Sequence, residues 1–330
     1  QTVPRVLVSQ AAMPLFAPFW ERYFDAKCSE FFAKDLYRLN HAALSEELAN
    51  LEVLFDRNGL VMLTVSSNFL MSYMIMSEFL RWFGTEDGAR KEGSLFKALE
   101  VESAEPARAL LEMGRIARRS RRIRRIISKT PSNEVLEELR LNAHFSDVEH
   151  LLDELGEFQR RFGHRAPREA ELATPRWRED VSFIFEVIRG FINSRHLPSP
   201  REVARDHQRA LDDIKDIVQR SFTPGFKEVF RGILGLSRSN ARKRESMRAR
   251  VVDSLDMYRH FFLECGRRMV ERGDLRIVED VFFLQMDEIK AWLGDVAVGR
   301  SFRIRVLVRR AMFEVFTDQP DPPATFLLRG

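Results

Sequence analysis

A mainly α-helical fold is predicted for this chain, and three observations predict it. Apolar residues recur at helical spacing along almost the whole sequence. Helix-start signals stand directly before several of these stripes. Strand-like patterning is confined to two short places, a small β-hairpin near 52–65 and a short strand near 281–284. The expected organisation is a single helical domain over 1–318, with a point of subdivision near 95–100.

Each element follows from local pattern. Met13, Phe16, Phe19, Trp20 and Phe24 form an i, i+3, i+4 stripe over residues 11–25. Leu54-Phe55 and Leu60-Val61-Met62-Leu63 flank Asp56-Arg57-Asn58-Gly59, and an Asn-Gly dipeptide between apolar runs is a hairpin signal. A helix is predicted from there to about Trp82, then a polar loop from Gly84 to Gly93. Ser103-Ala104-Glu105-Pro106 opens the next helix, with proline in the first turn, where a missing N–H costs nothing. Pro131 breaks the pattern after the arginine-rich run 118–125. Val148, Leu151, Leu152, Leu155, Phe158 and Phe162 mark another helix face, which Gly163 is expected to end.

Ser199-Pro200-Arg201-Glu202 is a capping box with proline at the first helical position. The longest helix is predicted from about Asn240 to Arg272, with the stripe Met247, Val251, Leu255, Tyr258, Phe262, Cys265 and Met269, closed by Gly273. Val281-Phe282-Phe283-Leu284 reads as strand. A last amphipathic helix carries Phe302, Val306, Val308, Met312 and Phe316. The prolines of Gln319-Pro320-Asp321-Pro322-Pro323 favour a stiff extended chain, so 319–330 reads as an exit linker.

Composition narrows the class. The 330 residues are 45% hydrophobic and 31% charged, a globular balance able to bury a core without staples. No run of eighteen apolar residues occurs; Val61 to Phe83 is interrupted by Thr64, Ser66, Ser67, Asn68, Ser72, Ser77, Glu78 and Arg81. No membrane span is therefore expected, and no secretory leader is visible. The first residue is Gln1, so a piece of something longer is expected. Cys28 and Cys265 lie far apart with no CxxC, which fits a reducing cytoplasmic compartment and two small buried hydrophobes. The net charge of +4 is carried mostly by arginine, which suits phosphate and carboxylate recognition but equally reflects a high-GC genome.

No GxGxxG, GxxxxGK[ST] or GxSxG occurs, and the seven histidines are not at metal-ligand spacing, so no metal site is expected. Three constellations remain. Arg244-Glu245-x-x-Arg248 extends the core-facing stripe of the long helix backwards, since 244 shares the face of Met247 and Val251. Such charges are costly to bury unpaired. They form either a structural arginine–glutamate network or a cleft awaiting an anion, with Glu245 as acid/base or orienter. Next, Phe162-Gly163-His164-Arg165-Ala166-Pro167-Arg168-Glu169-Ala170-Glu171-Leu172 packs one histidine, two arginines and two glutamates into a Gly/Pro-bounded loop. It is a candidate binding loop, or a brace in which His164 and Glu169 hold the turn. Last, the 118–125 arginines suit nucleic acid, but no aromatics interleave them and Ile116, Ile123, Ile126 and Ile127 keep a buried face beneath, which favours a solvated helix face. Phe69, Met71, Met74, Met76 and Phe79 read as core, or as an adaptable pocket for a bulky apolar ligand.

Three segments, in order, resemble phosphoenolpyruvate-utilising enzymes of the phosphoenolpyruvate synthase and rifampicin phosphotransferase type. They are Val101-Glu102-Ser103-Ala104-Glu105-Pro106-Ala107-Arg108-Ala109-Leu110; Gly163-His164-Arg165 through Glu169-x-Glu171-Leu172 to Pro175-Arg176-Trp177-Arg178-Glu179-Asp180; and Arg272-Gly273-Asp274-Leu275 through Glu279-Asp280-Val281-Phe282-Phe283-Leu284. The resemblance implies the central substrate-binding domain of a cytoplasmic bacterial phosphotransferase. It implies an ATP-grasp domain on one side, which handles ATP and Mg2+, and a swivelling phosphohistidine domain on the other. It further implies a bulky, largely apolar small-molecule acceptor. The family's Arg-Glu-x-x-Lys motif, implicated in phosphoryl transfer, falls on Arg244, Glu245 and Arg248; arginine replaces lysine at the third position and is a poor proton donor. His164, Arg165, Glu169, Met71 and Met74 are the expected acceptor-binding residues. On this reading the chain alone binds no cofactor and turns over no ATP. The competing expectation is a stand-alone helical scaffold, or a nucleic-acid module working through the 118–125 arginines.

Overall fold

The computed structural model describes residues 2–84, 95–96, 105–220, 222, 224–294 and 299–317. Among them the secondary structure is helix without strand. The α-helices are α1 (Thr2–Phe32), α2 (His41–Phe83), α3 (Glu105–Arg119), α4 (Arg121–Lys129), α5 (Val135–Leu141), α6 (Ser146–Phe162), α7 (Ser182–Asn193), α8 (Pro200–Arg220), α9 (Pro224–Glu271), α10 (Met286–Leu293) and α11 (Gly299–Thr317). Short 3₁₀ turns cover Leu36–Arg38 and Val278–Phe283. The polar loop and exit linker read from the sequence lie outside the described residues.

Both strand expectations are corrected. Residues 52–65 lie inside α2, and Asn58 is not a turn residue. Its side chain is fully buried, accepts from Trp20 Nε1 at 3.1 Å and donates to Ser254 Oγ at 3.1 Å. Two tertiary hydrogen bonds satisfy the amide that would otherwise favour a turn, and the helix runs through. Residues 281–284 overlap the 3₁₀ turn Val278–Phe283, because the Asp280 carboxylate accepts the backbone N–H groups of Arg276 (3.2 Å) and Ile277 (3.3 Å) and curls the chain.

The chain divides into two compact units, one of Gln1–Glu30 with Val53–Asp256, the other of Phe31–Glu52 with Met257–Gly330. Among the described residues, two apolar clusters are seen in the first unit. In one, Leu110 and Met113 of α3, Ile123 and Ile127 of α4, Leu139 of α5, Leu151 and Phe158 of α6, and Phe185 and Ile188 of α7 pack together. Each such side chain contributes about 1.5–3 kcal/mol by leaving water. In the other, Met76 and Leu80 of α2 meet Ile217 and Val218 of α8 and Phe230 and Leu234 of α9. The capping box expected at 199 forms: Ser199 N–H donates to Glu202 Oε2 at 2.7 Å and Glu202 N–H to Ser199 Oγ at 3.2 Å.

Arginines close helix ends in this unit. Arg189 donates to Ile127 O, Thr130 O and Ser132 Oγ at 2.7–2.9 Å, which satisfies carbonyls at the end of α4. Arg118 does the same for α7, donating to Ser194 O at 3.1 Å.

In the second unit, Gly273 closes α9 two residues after its last turn, and its φ of +78° favours glycine. Asp274 N–H then reaches back to Met269 O at 2.7 Å, a Schellman-type closure. Trp292 Nε1 donates to Asp274 Oδ2 at 3.0 Å, and Arg268 holds Leu36 O at 2.8 Å. Glu288 sits between Arg309 and Arg305, at 2.6 Å from each, and the Arg309 hydrogen bond leads in drawing its pKa down to about 2.

Candidate functional site

A cleft of about 880 Å3 in the first unit lies between α9 and the loop that follows α6. Arg248, Val251, Val252 and Leu255 line it from α9, an i, i+3, i+4, i+7 face. Trp177 and Phe183 form its apolar wall, and Arg165, Arg168, Glu169 and Glu171 its charged rim.

The loop is held by its own backbone. Gly163 ends α6, as expected, but in a right-handed conformation with φ −62°. Its requirement is space: a Cβ there would meet Arg178 Cβ at 2.9 Å. Two segments of the loop lie against each other, with Trp177 N–H on Arg165 O at 2.8 Å and Arg178 N–H on Gly163 O at 3.0 Å. Arg165 and Glu169 approach to 3.6 Å across the rim.

Beneath the loop is a buried charged layer. Asp256 of α9 is 1% exposed and accepts from Arg178 at 2.7 Å, with Arg176, fully buried, at 3.9 Å. Burial pushes its carboxyl up against the pull of those arginines. One helical turn earlier, Asp253 lies 3.4 Å from His164 Nε2. Burial raises Asp253 to about 7, with Arg250 opposing and Asp256 and Asp25 adding to the rise. Burial lowers His164 to about 4, assisted by Arg165, Arg178 and Arg176. At neutral pH the imidazole is therefore uncharged, and the contact is not a salt bridge. Cys28, half-buried and not fully buried as expected, is raised to about 12 by burial, as is the buried Cys265.

The triplet lies on α9 at the near end of the same cleft. Glu245, 17% exposed, stands between two guanidiniums, with Arg244 Nη1 at 2.7 Å and Arg248 Nη1 at 3.8 Å. Arg244 also faces the Phe69 ring at 5.8 Å. Both sequence readings of the triplet are thus present together: it is an ion-pair network, and through Arg248 it borders a cleft.

Of the expected acceptor-binding residues, Arg165 and Glu169 line this cleft with Arg248, while His164 lies beneath with Asp253. Met71 and Met74 are exposed on α2 and do not line it. Trp177, Phe183, Val252, Asp253 and Asp256 were not singled out from sequence. Only Trp177 carried a local signal, as the one indole in a charged loop. In the 118–125 run, Arg118 is engaged as a cap and Arg122 by Asp147 at 2.8 Å, and Ser120 interrupts the helix between α3 and α4. No group of three or more His, Cys, Asp or Glu able to hold a metal occurs among the described residues. α2 alone among them is long and apolar enough to cross a membrane by length and composition, with 22% of its most apolar window buried.

Comparison with known proteins adds the family. Residues 61–245 match the family described as the rifampicin phosphotransferase fourth domain, which is more than half of the chain and includes Arg244 and Glu245. Uncharacterized proteins of Mycobacterium bovis (strain ATCC BAA-935 / AF2122/97) and of Mycobacterium tuberculosis strains CDC 1551 and H37Rv are each 27% identical over 148 residues. That match takes in 45% of this chain but spans only 15% of the relatives' length. The loop at 163–183 falls within the matched segment, the α9 residues 248–256 beneath it lie beyond its end, and the chain belongs to the rifampicin phosphotransferase fourth-domain family.

Proposed function

We propose that this chain is the acceptor-binding part of an ATP-dependent, phosphohistidine-mediated phosphotransferase. Its acceptor is a bulky, largely apolar small molecule with a reactive hydroxyl. One observation carries the reading: Arg248 belongs at once to the Arg244–Glu245–Arg248 network and to the wall of an 880 Å3 cleft. That volume lies within the ~300–1,000 Å3 of ordinary ligand sites. The chain works as a soluble enzyme domain, with α2 as one of its helices.

The roles follow from charge. Trp177, Phe183, Val251, Val252 and Leu255 hold the apolar body of the acceptor and exclude water. Glu245 takes the hydroxyl proton as the new P–O bond forms. Arg244 and Arg248 turn from the carboxylate, neutralised by that proton, towards the transferred phosphoryl group and neutralise its equatorial oxygens. The donor is a phosphohistidine on a swivelling domain, charged by an ATP-grasp domain with ATP and Mg2+; its P–N bond breaks with the electron pair returning to the imidazole.

Titration of the purified chain with rifampicin, read by tryptophan fluorescence, tests the binding half. Saturable quenching that is lost in Trp177→Ala is expected. Absence of saturable binding counts against the reading. A salt-steep gel shift with oligonucleotides, by contrast, would favour a nucleic-acid module on the 118–125 arginines.

A further inference from the structure

We propose that the second unit carries an anion site of its own, formed by Arg276, Arg303 and Arg310, which takes a small phosphate ester. The site lies in a cavity of about 260 Å3 between α11 and the loop that leaves Gly273. From α11 come Arg303, Val306, Leu307 and Arg310, spaced i, i+3, i+4, i+7, so one helix face presents two guanidiniums around two apolar side chains. Arg276 and Ile277 close the opposite side.

The charge balance points to an anion. Among the residues of this unit whose side chains are described, every lysine and arginine except two has a carboxylate or an aromatic ring as partner. Arg38 has Asp35, Lys34 has Glu47, Lys290 has Glu52, and Arg259 lies over Phe282. Arg267 and Arg268 share Glu264, Arg272 has Asp274, and Arg305 and Arg309 share Glu288. The two exceptions are Arg276 and Arg303, and both line this cavity.

The one carboxylate present, Asp280, is already committed. It pairs with Arg310 and accepts the backbone N–H groups of Arg276 and Ile277. Those backbone bonds fix the loop that bears Arg276. Arg310 is steadied further by the Phe283 ring, 5.0 Å away. Three guanidiniums against one carboxylate leave a local charge of +2, and arginine's planar fork matches phosphate oxygens bidentately. Val306, Leu307 and Ile277 add an apolar surface for an organic substituent. The volume falls just below the ~300–1,000 Å3 range of drug-sized ligand sites, so the ester is small.

Phenyl phosphate is the probe. Calorimetric titration of the full 330-residue chain at fixed ionic strength should give saturable, one-to-one binding, with none for phenol. Arg276→Gln and Arg303→Gln should each weaken it about tenfold, as expected for loss of one hydrogen bond to a charged group. Neither arginine holds an ion pair, so both variants should keep the parent circular dichroism and melting temperature. Arg244→Ala, at the other unit's cleft, should leave this binding unchanged. Absence of binding, binding that persists in the folded double variant, or binding abolished by Arg244→Ala would overturn the proposal.

Discussion

At the residue scale, two groups beneath the cleft, Asp253 and His164, are pushed in opposite directions. Asp253 is raised from 3.8 to about 7. The native state therefore binds more protons than the unfolded chain between those values, and stability falls as pH rises through that window. His164 is lowered from 6.5 to about 4, so its contribution to stability rises with pH between about 4 and 6.5. The two nearly cancel up to about pH 6.5, and Asp253 acts alone above it. Asp253→Asn removes its term. The variant's melting temperature relative to the parent should therefore climb from pH 5 to pH 8, by paired thermal scans. A gap that stays constant with pH would show that Asp253 titrates normally.

The same residues show where reading from sequence stops. Arg244, Glu245 and Arg248 were legible because one helix dictates their adjacency. Arg165 and Glu169 were legible because four residues in a tight loop bring them together. Asp253 and Asp256 were not, because the groups that perturb them stand some 80–90 positions away on the 164–178 loop and arrive only through tertiary packing. Met71 and Met74 were drawn into the expectation by composition alone, and the helical phase of α2 turns both outward.

At the scale of elements, apolar periodicity and caps were good guides, and the errors have local causes. The Asn58-Gly59 dipeptide is overridden by two buried hydrogen bonds. Val281 to Leu284 is too short a run for periodicity to separate strand from 3₁₀ turn. The long helix begins at Pro224 and not near Asn240, since Phe230 and Leu234 extend its apolar stripe into the second cluster of the first unit. The loop after α6 is the element on which the cleft depends, and Gly163 is its tightest point. Gly163→Ala must displace the Arg178 backbone. A cost of about 1–3 kcal/mol is expected from such overpacking, with weaker acceptor binding than the stability loss alone explains. Urea titration with a parallel rifampicin titration separates the two. Unaltered stability and binding would show that the loop yields freely.

For the whole molecule, two different tasks are proposed for two units: an acceptor cleft with a phosphoryl clamp in the first, and a small-anion site in the second. Family membership supports a phosphotransferase-related domain; the acceptor and the clamp rest on the geometry of residues 164–183 and 244–255. The most direct test is single-turnover transfer from the phosphohistidine of the full-length enzyme to rifampicin, comparing parent with Arg244→Ala. Loss of one preorganised donor typically costs ~2.7–4 kcal/mol, roughly a hundred- to thousandfold in rate. That slowing is expected for Arg244→Ala, with acceptor affinity nearly unchanged and the domain still folded. A variant that unfolds while its folded fraction transfers phosphate at the parent rate would contradict the account and leave the triplet a purely structural ion network.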